Sequence, residues 1–226
     1  MSLKILLTAV TNFLLFLFFV PSTFFAQNIP QYLTNPNYEL EIGKYKIYKS
    51  KQADIVMLGN SLTHGANWNE LLGRSSISEQ GIPSDITAGV LNRMEYVYKV
   101  NPKVCLIMIG VNDVFSWIPN ETIFNNYVLI VENLKRKNII PIIQSLLYAG
   151  KIQEGAEGRN KEITKLNKLL SDYSKKNNIE YINLNKKMSR SYFLKSPLTY
   201  DGIHLNGKGF KIWGREVDKV LRKYSL

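Results

Sequence analysis

An α/β/α sandwich built on a parallel sheet of about five strands is the fold this chain predicts, and three observations lead to it. From residue 54 onward, short apolar runs alternate with longer stretches of helical period, the signature of βα units. The strongest runs are apolar nearly throughout, as strands covered on both faces must be. With 226 residues, 45% of them hydrophobic, the chain can bury one substantial core, and no internal repeat or low-complexity linker divides it.

Residues 1–26 read MSLKILLTAVTNFLLFLFFVPSTFFA. One lysine, an apolar run and small residues ahead of Gln27 have the layout of a secretory signal peptide, with cleavage expected after Ala26 and a secreted or periplasmic destination. The alternative is an uncleaved anchor, since the run approaches spanning length when Phe24 and Phe25 are counted. No cysteine follows the run, so a lipidated N-terminus is not expected. Residues 27–53 read as an N-terminal extension; within it 35–52, tyrosine-rich and opened by Asn35-Pro36, is expected to pack as a helix across the sheet edge. The main domain is expected over 54–226.

Strands are predicted over 55–59, 76–80, 104–110, 139–145 and 179–183, the second being the weakest. Helices are predicted over 85–100, 121–137, 160–176 and 207–224. In the first of these Val90, Leu91, Met94, Val97 and Tyr98 share one stripe, and Asp85 stands where a cap is needed. Loops then follow the carboxyl ends of strands at 60–66, 81–84, 111–120 and 146–159. Open parallel sheets place ligands at that end.

Composition narrows the chemistry. A single cysteine, Cys105, allows no intramolecular disulfide, and two histidines, His64 and His204, cannot build a cysteine- or histidine-rich metal site. No metal or cofactor is expected. Cys105 lies in the apolar run 104–109, where a buried inert thiol is the simplest reading. The formal net charge is +11, and the leader removes only Lys4 from it, so the basic excess belongs to the mature domain and favours anionic partners. Lysines such as Lys161, Lys165 and Lys168 are spread along a helix, which a solvated basic face explains without nucleic acid.

Two loops carry the chemistry. Gly59-Asn60-Ser61-Leu62-Thr63 puts a serine at the mouth of the sheet, where it is either a helix cap or a nucleophile. Tyr200-Asp201-Gly202-Ile203-His204 puts an acid three residues ahead of a histidine. A serine hydroxyl needs a base, and the base needs an acceptor that fixes its tautomer. Ser61, Asp201 and His204 supply all three. His64 is closer in sequence to the serine but has nothing obvious to orient its second nitrogen, and reads as rim or packing. Gly81 and Asn112 stand in the remaining loops and could donate hydrogen bonds to a developing oxyanion.

These blocks resemble the SGNH hydrolases, also called GDSL-type esterases: Ser61 in GNSLT, Gly81 in QGIPSDITAGVLNRM, Asn112 in GVND, and Asp201 with His204 in DGIHLN. The resemblance is nearest to the platelet-activating-factor acetylhydrolase-like and carbohydrate (sialate) O-acetylesterase branch. It implies a flavodoxin-like three-layer sandwich and a Ser61–His204–Asp201 triad. It also implies an oxyanion hole made of the Ser61 and Gly81 N–H groups and the Asn112 amide. Asn60 departs from the aspartate usual in the first block.

The resulting expectation is a secreted serine esterase acting on short acyl groups, O-acetyl foremost, of a small-molecule or glycan ester. No membrane span is expected once the leader is cleaved. Asn60, Trp68, Phe115 and Trp117 are the candidate substrate contacts, ordinary packing being the competing reading for the aromatics. A lipid-type acylhydrolase or lysophospholipase, and a catalytically silent glycan-binding module, are the alternatives.

Overall fold

The computed structural model describes residues 30–226; the leader expected over 1–26 lies outside them. Five strands, β1 Ile55–Gly59, β2 Ile77–Gly81, β3 Val104–Met108, β4 Ile140–Gln144 and β5 Glu180–Ile182, form one sheet in the order β2-β1-β3-β4-β5. All four pairings are parallel. Two further strands, β6 Ser189–Arg190 and β7 Phe193–Leu194, pair as an antiparallel hairpin beyond the sheet.

The helices are α1 Pro36–Ile47, α2 Ser61–His64, α3 Trp68–Leu72, α4 Thr87–Asn92, α5 Met94–Lys99, α6 Val111–Phe115, α7 Asn120–Arg136, α8 Ala156–Lys176, α9 Asn185–Met188 and α10 Gly207–Leu221. The result is the three-layer α/β/α sandwich that the alternation predicts. The central strands β1 and β3 are buried at every position, each large apolar side chain contributing about 1.5–3 kcal/mol by leaving water. Cys105 is among them, and burial pushes its thiol up, out of the reactive range.

The predicted helix over 85–100 is two helices, broken at Arg93. That residue falls on the apolar stripe between Val90 and Val97, and its side chain is wholly buried. Nε donates to Asp85 Oδ2 at 2.9 Å and Nη2 to the carbonyl of Gly59 at 3.0 Å. Turning a guanidinium inward displaces the backbone from helical geometry there (φ −117°, ψ 16°). Asp85 therefore does not cap α4 as expected; its carboxylate holds Arg93, and burial pushes it up against the pull of that cation. The first N–H of α4, on Thr87, is instead taken by Asp113.

Within the tyrosine-rich segment Asn35 caps α1 by accepting from Asn37 N–H at 3.0 Å. Tyr38, Ile42 and Tyr45 of α1 cluster with Ile82, next to the edge strand β2. Tyr45 Oη donates to the Gly81 carbonyl at 3.2 Å, so this helix braces the loop that follows β2. Helix α8 begins four residues earlier than predicted, after Gly155 in the left-handed region (φ 68°). Among the described residues no helix is long and apolar enough to cross a membrane.

Candidate active site

Ser61 opens α2 directly after β1, so its N–H has no intrahelical acceptor. Asn60, the candidate substrate contact beside it, is buried and caps the same turn, its Oδ1 accepting from Leu62 N–H at 3.1 Å. A side chain so engaged does not face a ligand, and Asn60 leaves the list of substrate contacts.

Across the cleft, Ser61 Oγ lies 3.0 Å from His204 Nε2, and His204 Nδ1 lies 2.7 Å from Asp201 Oδ2. The other oxygen of Asp201 accepts from the backbone N–H groups of Ile203 at 2.8 Å and His204 at 2.7 Å. Burial alone would raise the Asp201 carboxyl; the His204 ring and these two N–H groups outweigh it and hold it below the usual carboxylate value. The turn closes through Gly202, whose φ of 87° suits glycine and whose added Cβ would stand 2.6 Å from Ile152. An ionised Asp201 that accepts the hydrogen bond from Nδ1–H fixes the tautomer in which Nε2 is free to accept from Ser61, the arrangement a nucleophilic hydroxyl needs.

Of the expected oxyanion donors, Asn112 sits in the first turn of α6. Nδ2 donates to the Asp85 carbonyl at 2.8 Å, which orients the amide and leaves its second hydrogen uncommitted. Its neighbour Asp113 turns inward, is fully buried, and accepts from the Thr87 backbone and hydroxyl. Burial pushes the Asp113 carboxyl up to about 6.

Gly81 departs from expectation. Its N–H donates to Oε1 of Glu79, so the chain's own carboxylate occupies the expected donor. Glycine is still required: a Cβ would meet His64 N at 2.5 Å and the Asn60 carbonyl at 2.6 Å, so Gly81 is what lets the β2 loop close on the serine loop. Oε2 of Glu79 lies 3.4 Å from His64 Nδ1. His64 thus has an orienting carboxylate after all, a partner on the neighbouring strand rather than in its own segment. Burial pushes Glu79 up, against the lowering effects of Gly81 N–H, His64 and Arg93.

The aromatics divide. Trp68 is 1% exposed, donates its indole N–H to the Thr63 carbonyl at 2.8 Å and packs edge-on against Trp213, so it is core and not a sugar platform. Trp117 is 68% exposed. The guanidinium of Arg159 stacks 3.3 Å from its ring centroid and 5.3 Å from that of half-buried Phe115. Tyr200, unremarked in the sequence, is 70% exposed and stacks on the His204 ring at 6.0 Å. Among the described residues no His, Cys, Asp and Glu cluster is arranged to hold a metal ion.

A parallel sheet of this order, with helices on both faces, is a three-layer α/β/α fold. The chain belongs to the GDSL-like lipase/acylhydrolase family, whose profile matches residues 57–212. A GDSL-like lipase from Bacteroides thetaiotaomicron shares the fold at a TM-score of 0.73 and 23% identity, covering 83% of this chain and 98% of that one. An acetyl xylan esterase superposes at 0.63 and 20% identity, covering 74% and 98%. In sequence, N-acylneuraminate cytidylyltransferases of Streptococcus agalactiae are 27% identical over 159 residues, 69% of this chain and 35% of theirs. The chain spans about a third of the length of those relatives.

Proposed function

We propose that this protein is an exported serine esterase that removes short acyl groups, O-acetyl foremost, from carbohydrates. The observation that carries the reading is the continuous hydrogen-bonded line from Ser61 Oγ through His204 to Asp201. His204 Nε2 takes the Ser61 proton as Oγ bonds to the ester carbonyl carbon, and Asp201 stabilises the imidazolium. The oxyanion is received by the Ser61 N–H and the free amide hydrogen of Asn112. Collapse breaks the ester C–O bond, the alcohol leaving with the proton from His204. Water, deprotonated by His204, then attacks the acyl-serine, and the acid departs as Oγ recovers its proton. Gly81 joins as a third donor only when Glu79 releases its N–H.

A carbohydrate substrate is supported by relatives named for N-acylneuraminate chemistry, by the acetyl xylan esterase that shares the fold, and by exposed aromatics beside the triad turn. Export is supported by the layout of residues 1–26.

The test is hydrolysis of p-nitrophenyl acetate, butyrate and octanoate and of O-acetylated sugars by the purified protein beside Ser61→Ala. Acetyl esters should turn over fastest, and the variant should lose at least about 10³-fold in kcat. Octanoate preference would move the protein to the lipid-type reading. An unaltered rate in Ser61→Ala would remove the serine mechanism.

A further inference from the structure

The turn that carries the acid and the base is thinly packed. The side chains of Asp201 and His204 are 36% and 37% exposed, and Tyr200 ahead of them is largely in solvent. Apolar contact therefore does little to fix where the His204 ring points, and the hydrogen bonds inside the turn carry that task.

Those bonds close the segment on itself. At its base the Asn206 N–H donates to the Leu198 carbonyl at 3.0 Å, and Thr199 pairs with Leu205 in a single antiparallel bridge. One half-buried side chain, Thr199, then ties the loop across its middle. Its Oγ1 donates to the His204 carbonyl at 2.6 Å and accepts from the Gly202 N–H at 2.9 Å. The same oxygen lies 3.4 Å from Asp201 Oδ1, but its one hydrogen is committed to the shorter contact. Asp201 Oδ1 is left to the backbone N–H groups of Ile203 and His204.

The consequence falls on the base. Its N–H is taken by Asp201 and its carbonyl by Thr199, so the peptide units on both sides of the His204 Cα are pinned by side chains of the same turn. The imidazole has two contacts to satisfy at once, Ser61 Oγ at 3.0 Å and Asp201 Oδ2 at 2.7 Å. A shift of that Cα disturbs both. Gly202 is buried, and without the hydroxyl its N–H becomes a donor lacking an acceptor. A hydroxyl suits the position because it donates and accepts at one small atom. Serine keeps both capacities, and valine keeps the branched shape with neither.

We infer that Thr199 is a positioning residue of this site, its hydroxyl holding the His204 backbone so that the ring meets Ser61 and Asp201 together. The inference rests on the esterase reading of Ser61 and adds to it a residue that touches no reacting atom. A hydroxyl that merely completed the turn would change stability and leave turnover by the folded protein alone. A misplaced base instead lowers kcat, because a displacement of about 1 Å in a reacting group costs up to about 10²-fold in rate.

The experiment compares wild type, Thr199→Val and Thr199→Ser in two ways. One is kcat and KM on p-nitrophenyl acetate. The other is the far-downfield proton resonance of His204 Nδ1–H, which reports the bond to Asp201 and is identified by its absence in His204→Ala. The valine variant should lose about 10–100-fold in kcat with KM within about twofold of wild type, and its resonance should shift or vanish. The serine variant should stay within about threefold of wild type and keep the resonance. Thermal midpoints establish which variants fold, and Thr199→Ala carries the same prediction in place of a valine variant that does not. An unchanged kcat in the folded valine variant, a loss confined to KM, or no rescue by serine overturns the positioning role. A resonance that valine leaves unaltered overturns it as well. The resonance does not depend on turnover. If wild type hydrolyses no ester while valine displaces the signal and serine keeps it, the esterase reading fails and the positioning role stands.

Discussion

Two histidine–carboxylate pairs lie near Ser61, and they differ in how the carboxylate is held. In Asp201–His204 both partners come from one turn. One carboxylate oxygen is pinned by two backbone N–H groups, and the other meets the ring nitrogen at 2.7 Å. In Glu79–His64 the acid comes from β2 and the histidine from α2. The ring contact is 3.4 Å, and the second oxygen is spent on Gly81 N–H. Donors outweigh burial at Asp201 and lower it, whereas burial wins at Glu79 and raises it. Proximity in sequence is therefore a poor guide to which histidine serves the hydroxyl. The number of donors fixing the carboxylate is a better one.

Removing each ring in turn separates the two pairs. His204→Ala should lower kcat by at least about 10³-fold, whereas His64→Ala should stay within about threefold of wild type, both read on p-nitrophenyl acetate. The reverse result would transfer the base to the wrong pair. Asn112→Ala removes the proposed side-chain donor to the oxyanion and should cost about 10²–10³-fold in kcat with KM little changed; a loss confined to KM would make it a binding residue.

Glu79→Gln deletes a negative charge beside the expected oxyanion position and should raise kcat about 3–10-fold at pH 8. Because burial raises the wild-type carboxyl, more of it is neutral in mild acid, so the gain should shrink as pH falls. A gain that ignores pH would mean the charge is irrelevant.

Asp113 extends the series to a buried carboxyl with no histidine. Folded, it holds its proton up to about 6, against an ordinary value of 3.8. Between those values the native state binds more protons than the unfolded chain, so stability falls as pH rises through that window, by about 2–3 kcal/mol at most. Asp113→Asn should flatten that slope in urea midpoints measured from pH 4 to 7. An unaltered slope would assign it to another group.

Strands β1, β3 and β4 were readable because a parallel strand covered on both faces has to be nearly all apolar, whereas the edge strands β2 and β5 are half-buried and carry polar residues; the structure places all five within two residues of the predicted ranges. Ser61, Asp201 and His204 were readable together because a hydroxyl, a base and an acid at strand ends have few alternative uses in combination. Other features left weaker traces. Arg93 interrupts an apolar stripe, which signals an inward cation, but not that the helix breaks to admit it. Trp68 with Leu71 and Leu72 has the spacing of a helix's apolar face, a better guide to its burial than its nearness to the serine loop. Glu79 gave no sign, because residues two apart on a strand share a face without ordinarily sharing a hydrogen bond. The turn at Ser191 and Tyr192 lacks the glycine or asparagine that announces a tight hairpin.

The buried Arg93 has a reach beyond the helix it breaks. By holding Asp85, whose carbonyl orients Asn112, and the carbonyl of Gly59, two residues ahead of Ser61, it welds three segments into one block. Any variation at that guanidinium disturbs hydroxyl and amide together. The stretch ahead of α8 is not spanned by it and braces the other half of the site instead: Gly150 N–H donates to the Gly202 carbonyl at 2.7 Å and Gln153 Nε2 to the Asp201 carbonyl at 2.5 Å, so the acid–base turn is held independently of the serine block.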